Sequence, residues 1–134
     1  MEVVELEFEG DERFQKLREP LGATSLGINL IRLQPGQRGR IHRHREQEEL
    51  YVVLEGSLTI YVEREPHEVR RGQIARLAPD ERRQLVNASS EPVAFIALGA
   101  TGDHAGRDGE AFESWDETQG RPPQEVPLPD DLPS

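Results

Sequence analysis

Two histidines and a glutamate, set in the run Gly36-Gln-Arg-Gly-Arg-Ile-His42-Arg-His44-Arg-Glu-Gln-Glu-Glu49-Leu-Tyr-Val-Val-Leu-Glu-Gly56, are the residues best placed to do chemistry. Histidines at i and i+2 on a strand project from one face, close enough to share an ion. A turn through Arg45–Glu48 would return Glu49 on the next strand beside them. Two neutral imidazoles and a carboxylate on one wall make the 2-His-1-carboxylate face that suits non-haem iron. The same residues fit a plainer description. A His-x-His among arginines and glutamates also describes a solvated strand edge, and Glu46, Glu48 and Glu49 also describe a charged turn. Spacing alone leaves both readings open. Other chemistry is excluded by composition: with Cys 0 there is no disulfide framework, no thiolate zinc site and no cysteine nucleophile.

The elements that must position these residues read as short strands. Val4, Leu6 and Phe8 alternate with Glu5 and Glu7, and Leu26–Leu33 is apolar enough for a strand buried on both faces. Leu50–Leu54 and Leu58–Val62 flank Glu55-Gly56-Ser57, a hairpin signal. Arg64–His67, with Pro66, reads as another turn before Glu68–Arg71, and Ile74–Leu77, Gln84–Asn87 and Val93–Leu98 follow at regular spacing. That many short strands in about a hundred residues predicts an all-β sandwich or small barrel. The chain has 134 residues, 31% charged and 34% hydrophobic, which suits one soluble domain with one core. No apolar run approaches the ~18 to 20 residues that span a bilayer, and the acidic start MEVVELEFEGDE lacks the pattern of a secretory signal. The expectation is a cytoplasmic protein with no membrane partner. The formal charge of -10 argues against nucleic acid as well. Most of that charge sits in residues 101–134, where nine acids face Arg107 and Arg121.

The glycines around the histidines narrow the choice, because here the sequence resembles the cupin superfamily. That family's first motif is Gly, five residues, His-x-His, three or four residues, Glu, six residues, Gly. Gly36, His42, His44, Glu49 and Gly56 fit every interval, and the position of Gly56 selects Glu49 over Glu48. The second motif fits less well: Gly72 and Asn87 match, but Ala78 and Asp80 replace its Pro and Gly, and Arg83 stands where a histidine supplies the fourth metal ligand. The resemblance covers about residues 24–100. It implies an antiparallel jelly-roll β-barrel, often dimeric, with a divalent transition metal inside (Fe, Mn, Ni, Zn or Cu). Carried residue by residue, His42, His44 and Glu49 become the metal ligands, and Arg83 becomes an inward-facing cation that binds substrate. An arginine cannot coordinate, and its fork suits carboxylates. Two outcomes follow. In one, a metal on three ligands works with Arg83 on a small anionic substrate, in an enzyme of dioxygenase or isomerase type. In the other, Arg83 pairs with Glu49 and no metal is needed; the function is then a metal-free barrel that binds a small anion as a sensor or carrier, with Arg83 as its anchor.

The remaining residues are given structural roles. Tyr51 and Val53 share the Glu49 face and would line the barrel, Tyr51 within reach of substrate. His67 is assigned to a surface turn and His104 to a linking segment. Arg38, Arg40, Arg43 and Arg45 read as the solvated face of the histidine strand. Gly109–Gln119 is expected to form a helical turn around Phe112 and Trp115, anchoring the tail. Five of the ten prolines fall in the last thirteen residues, so Pro122–Ser134 is expected to be extended, with little to bury. Its removal after Gly120 should then move the melting temperature by only a few degrees. The domain plan is a strand extension at 1–19, the barrel at 20–100 and an acidic, Pro-rich tail at 101–134. A homodimer is expected, formed as the Val3–Phe8 strand pairs with a second subunit.

Overall fold

Apolar patterning turns much of residues 27–100 into strands joined by short turns, while both ends of the chain are mostly irregular. The computed structural model describes residues 1–100 and 108–133. In chain order the elements are β1 (Phe14–Lys16), a single helical turn α1 (Arg18–Leu21), β2 (Gly27–Leu33), β3 (Ile41–His44) and β4 (Glu48–Glu55). They continue with β5 (Ser57–Val62), β6 (Glu65–Arg70), β7 (Ile74–Leu77), β8 (Arg83–Val86), β9 (Val93–Ala100) and β10 (Gly109–Phe112), then a 3₁₀ turn at Pro123–Glu125. All described pairings are antiparallel and make two five-stranded sheets, ordered β1-β2-β9-β4-β7 and β10-β3-β8-β5-β6. Among the described residues no helix is long and apolar enough to cross a membrane.

Strands β2, β9 and β4 carry apolar side chains on both faces, which is why they take the centre of the first sheet. Their inner side chains, among them Ile31, Tyr51, Val53 and Phe95, meet Leu58, Ile60 and Leu85 of the second sheet in one buried cluster. The outer face of the first sheet is covered differently. Leu17, Leu30 and Ala94 are buried there under Val4, Leu6 and Leu21. The buried Arg32 ties the same segment down, its Nε donating to the Glu12 carbonyl at 2.6 Å and its Nη1 to the Glu7 carbonyl.

Several expectations change here. Residues 3–8 form no strand: Val4 and Leu6 do turn inward, but onto the outer face of a complete sheet rather than into a ladder. The N-terminal strand is β1, on the sheet edge. Glu55-Gly56-Ser57 is no hairpin, because β4 pairs with β7 and β9 while β5 pairs with β6 and β8. Gly56 instead carries the chain from one sheet to the other. Its φ is 78° and an added Cβ would lie 2.4 Å from the Pro92 carbonyl oxygen, so only glycine fits. The tight turn of the second sheet falls earlier than expected, at Glu63 and Arg64 (φ 46° and 77°). Pro66 and His67 then lie in β6, and as an edge strand β6 tolerates the proline.

The C-terminal region also departs from expectation. Residues 109–112 pair with β3 as a strand, and Phe112 is buried beneath Arg43 and Arg82, whose guanidinium carbons lie 5.3 and 5.4 Å from its ring centre. The tail is irregular but docked. Val126 is buried, Arg40 Nε donates to its carbonyl at 2.5 Å, Arg38 Nε donates to the Asp130 carbonyl at 2.7 Å, and the Leu132 N–H donates to Gly36 O at 2.7 Å. Arg38 and Arg40 therefore hold the tail rather than facing solvent freely. Proline-rich backbone has unused carbonyls, and arginine forks are good partners for them.

Candidate metal centre

Strand β3 lies between β10 and β8, which fixes the direction of its two histidines. His42 is opposite Arg83 on one side and Ala111 on the other, and His44 is opposite Gly109. Both imidazoles point toward the interior, with ring centres 5.4 Å apart and planes perpendicular. Glu49 does not join them on the same wall. It sits on β4, between Leu77 and Gly99 in the other sheet, and reaches across the space between sheets. His42 Nε2 lies 3.3 Å and His44 Nε2 3.2 Å from the same Glu49 oxygen, Oε1. One donor atom from each residue falls in a group no wider than 4.8 Å. Donors held about 2.0–2.2 Å from one ion in tetrahedral geometry stand roughly 3.4 Å apart. The two nitrogen–oxygen separations meet that requirement.

The partners behind the two rings fit an ion too. His42 Nδ1 lies 3.1 Å from the Arg40 carbonyl, an acceptor that can hold that nitrogen's N–H and leave Nε2 for an ion. His44 Nδ1 and Nε2 are both buried without a hydrogen bond among the described residues. Burial alone would push the Glu49 carboxyl up, but its close His42 and His44 partners outweigh it and hold the group well below the usual carboxylate range. Glu49 is thus an anion.

Tyr51 and Arg83 lie behind this oxygen. The Tyr51 hydroxyl donates to Glu49 Oε1, and burial, then the Glu49 charge, push the phenol well above its ordinary value, so it stays a donor. Arg83 is fully buried, with Nε 3.6 Å from Glu49 Oε1 and no hydrogen bond at that atom among the described residues. Its fork is spent on main chain: Nη1 donates to the Glu81 and Pro79 carbonyls at 2.6 and 3.2 Å, and Nη2 to Ala78 at 3.3 Å.

An open cleft of about 1370 Å³ leads to His44 and Glu49. Gln47, Ala97 and Gly99 line it near the site, and Lys16, Arg18 and Arg45 contribute cationic groups. Gly99 leaves needed space, since a Cβ there would come within 3.0 Å of Gln47 Oε1 and 3.6 Å of Glu49 Cγ. Neither Tyr51 nor Arg83 is among the described residues on its walls. Glu46 is exposed, and Glu48 is exposed and paired with Arg76 at 2.7 Å. His67 is exposed on β6, and His104 falls outside the described residues. Sequence reasoning missed the cleft cations of the N-terminal segment and missed Asp108. The Asp108 Oδ2 accepts the N–H groups of Glu46 and Gln47 at 2.9 and 2.8 Å. No fixed interval joins Asp108 to the histidines, so no motif could have found it.

Residues 29–99 match a family model described as the cupin domain. A sugar phosphate isomerase from a cupin superfamily of Silicibacter pomeroyi DSS-3 shares 28% identity at a TM-score of 0.66, the match covering 75% of this chain and 65% of that one. The chain thus spans less than two thirds of that relative's length. A cupin protein from Bacteroides fragilis shares 26% identity (TM-score 0.63, covering 79% of this chain and 92% of that one). The cupin domain of an XRE family transcriptional regulator from Enterobacter cloacae also shares 26% (TM-score 0.59, covering 66% and 94%). No functionally curated protein matches the sequence.

Proposed function

This chain belongs to the cupin domain family, and on that premise we propose that it is a metal-dependent isomerase of a small anionic substrate, built in the family's jelly-roll barrel with the two facing sheets as its halves. The observation that carries the metal is the convergence of His42 Nε2 and His44 Nε2 on one Glu49 oxygen, with the Arg40 carbonyl behind His42 Nδ1. His42, His44 and Glu49 would hold one divalent transition metal. Two imidazoles and one carboxylate accept Fe, Mn, Ni, Zn or Cu, and supply in the cell chooses among them. When bound, such an ion polarises a carbonyl or hydroxyl oxygen as a Lewis acid, the chemistry that moving a carbonyl along a sugar requires.

The chain's own residues divide the remaining work. Tyr51 donates to Glu49 and fixes the ligating carboxylate. Lys16, Arg18 and Arg45 line the cleft and would draw in an anion such as a phosphate. Gly99 and Ala97 keep the floor low enough for a substrate to reach His44 and Glu49. The likeness to a sugar phosphate isomerase at 28% identity favours the isomerase over the dioxygenase reading. The metal-free alternative, an anion held by Arg83, has weaker support, because both terminal nitrogens of that side chain already bind carbonyls.

The test is calorimetric titration of the stripped protein with zinc and manganese, followed by isomerisation assays on aldose and ketose phosphates. We expect one ion per chain, lost in His42→Ala, and turnover only in the loaded protein. A wild-type chain that takes up neither metal refutes the proposal.

A further inference from the structure

The two histidines differ in what lies behind them. His42 Nδ1 has a main-chain acceptor in the Arg40 carbonyl, at 3.1 Å. His44 Nδ1 is buried and has none among the described residues. A carboxylate stands close to it: Asp108 Oδ2, 3.9 Å away and itself buried. Asp108 comes from the residue before β10, outside the stretch that carries the family's motif.

Asp108 is held in place. Its Oδ2 accepts the N–H groups of Glu46 and Gln47, and its carbonyl accepts the Arg45 N–H at 3.2 Å. These three residues form the turn between β3 and β4, the link between two ligand histidines and the ligand glutamate. One carboxylate therefore fastens that turn and faces the free nitrogen of one ligand. A histidine that binds a metal through Nε2 nearly always donates its Nδ1–H to a carboxylate or carbonyl, which fixes the ring and its tautomer. The gap at His44 exceeds hydrogen-bond length by about an ångström, an amount that a small ring rotation covers.

We infer that Asp108 is a positioning residue of the metal centre, accepting the His44 Nδ1–H so that Nε2 faces the ion, as the Arg40 carbonyl does for His42. The role rests on the metal-binding reading above. Asp108 also spans from the C-terminal segment to the histidine strand, so the centre depends on a residue more than sixty positions away from the motif's first ligand.

Zinc affinity by calorimetry, with the ring N–H signals of the zinc-loaded protein followed by nitrogen-resolved NMR, tests it. In the wild type both His42 and His44 should show a slowly exchanging Nδ1–H. Asp108→Ala should weaken zinc binding about ten- to a hundredfold and lose the His44 signal while keeping that of His42. Asp108→Asn keeps a neutral oxygen acceptor for the turn and the ring, and should recover the His44 signal and most of the affinity. If the wild type binds zinc and Asp108→Ala binds it as tightly, the role is wrong while the metal centre stands. If Asp108→Ala loses the His42 and His44 signals together, Asp108 only supports the local fold and the inference is overturned. A wild type that binds no zinc removes the metal reading and this role with it.

Discussion

Arg83→Met separates what the arginine does for the fold from what it does to the site. The substitution keeps an unbranched stem and removes the charge and three hydrogen bonds to the carbonyls of Ala78, Pro79 and Glu81. One bond is short and two are near 3.3 Å, so with hydrogen bonds from a charged donor worth about 1.5–3 kcal/mol each at good geometry, the total loss is about 3–4 kcal/mol. In a domain of this size that lowers the melting temperature by about 10 °C. The effect on the metal has the opposite sign. An ion bound about 2.1 Å from Glu49 Oε1 lies within about 6 Å of Arg83 Nε, itself 3.6 Å from that oxygen. A divalent ion and a guanidinium at that range repel by about 5 kcal/mol at an effective dielectric of 20. Relaxation and entering water remove much of this, and we expect zinc to bind at least about tenfold tighter, or about 1.4 kcal/mol. Arg83→His, which adds a nitrogen opposite His42, should bind tighter still. The assays are thermal unfolding in chelator and zinc calorimetry on both variants. A melting temperature within about two degrees of wild type would show that the carbonyl clamp carries no weight. Equal zinc affinity in all three proteins would show that Arg83 is outside the field of the ion and that its match to the fourth-ligand position is wrong.

Two further outcomes are expected. The Glu49 carboxyl is held below its ordinary value in the folded protein, so it adds stability above the unfolded value near 4.5 and loses it as pH falls through the lower folded value; in metal-free protein, urea unfolding across that acid range should show a shallower decline for Glu49→Gln than for wild type, and identical slopes would refute the coupling. Truncation after Gly120 removes the buried Val126 and the contacts from Arg38, Arg40 and Gly36, a loss of about 3–5 kcal/mol from one valine and three hydrogen bonds, and the melting temperature should fall by roughly 10 °C rather than by the few degrees that the composition of the tail suggests, with an unchanged value showing that the docking is worth nothing.

Strands with a clear period were legible from the sequence alone. The regular spacing of short apolar runs and the apolar stretch up to Leu33 placed β7 and β2 within a residue, because a buried strand leaves its mark in a run of apolar positions. The fixed intervals from Gly36 to Gly56 likewise singled out His42, His44 and Glu49 as one group, and the fold brings one donor from each within 4.8 Å of the others. What lay beyond the sequence was anything decided by partners distant along the chain. Glycine at 56 reads as a hairpin turn, yet it is required because Pro92 passes 2.4 Å from where its Cβ would be. Pro122–Ser134 reads as a loose end, yet Arg38 and Arg40 supply the donors its carbonyls need. Arg83 reads as a hand for substrate, yet its terminal nitrogens donate to the carbonyls of Ala78, Pro79 and Glu81. Local pattern records which side chains a strand must bury and how far apart ligands stand on it. Which sheet Glu49 reaches from, and which carbonyls and carboxylates stand behind the ligands, depends on contacts that close only once the two sheets face each other, and those leave no periodic trace.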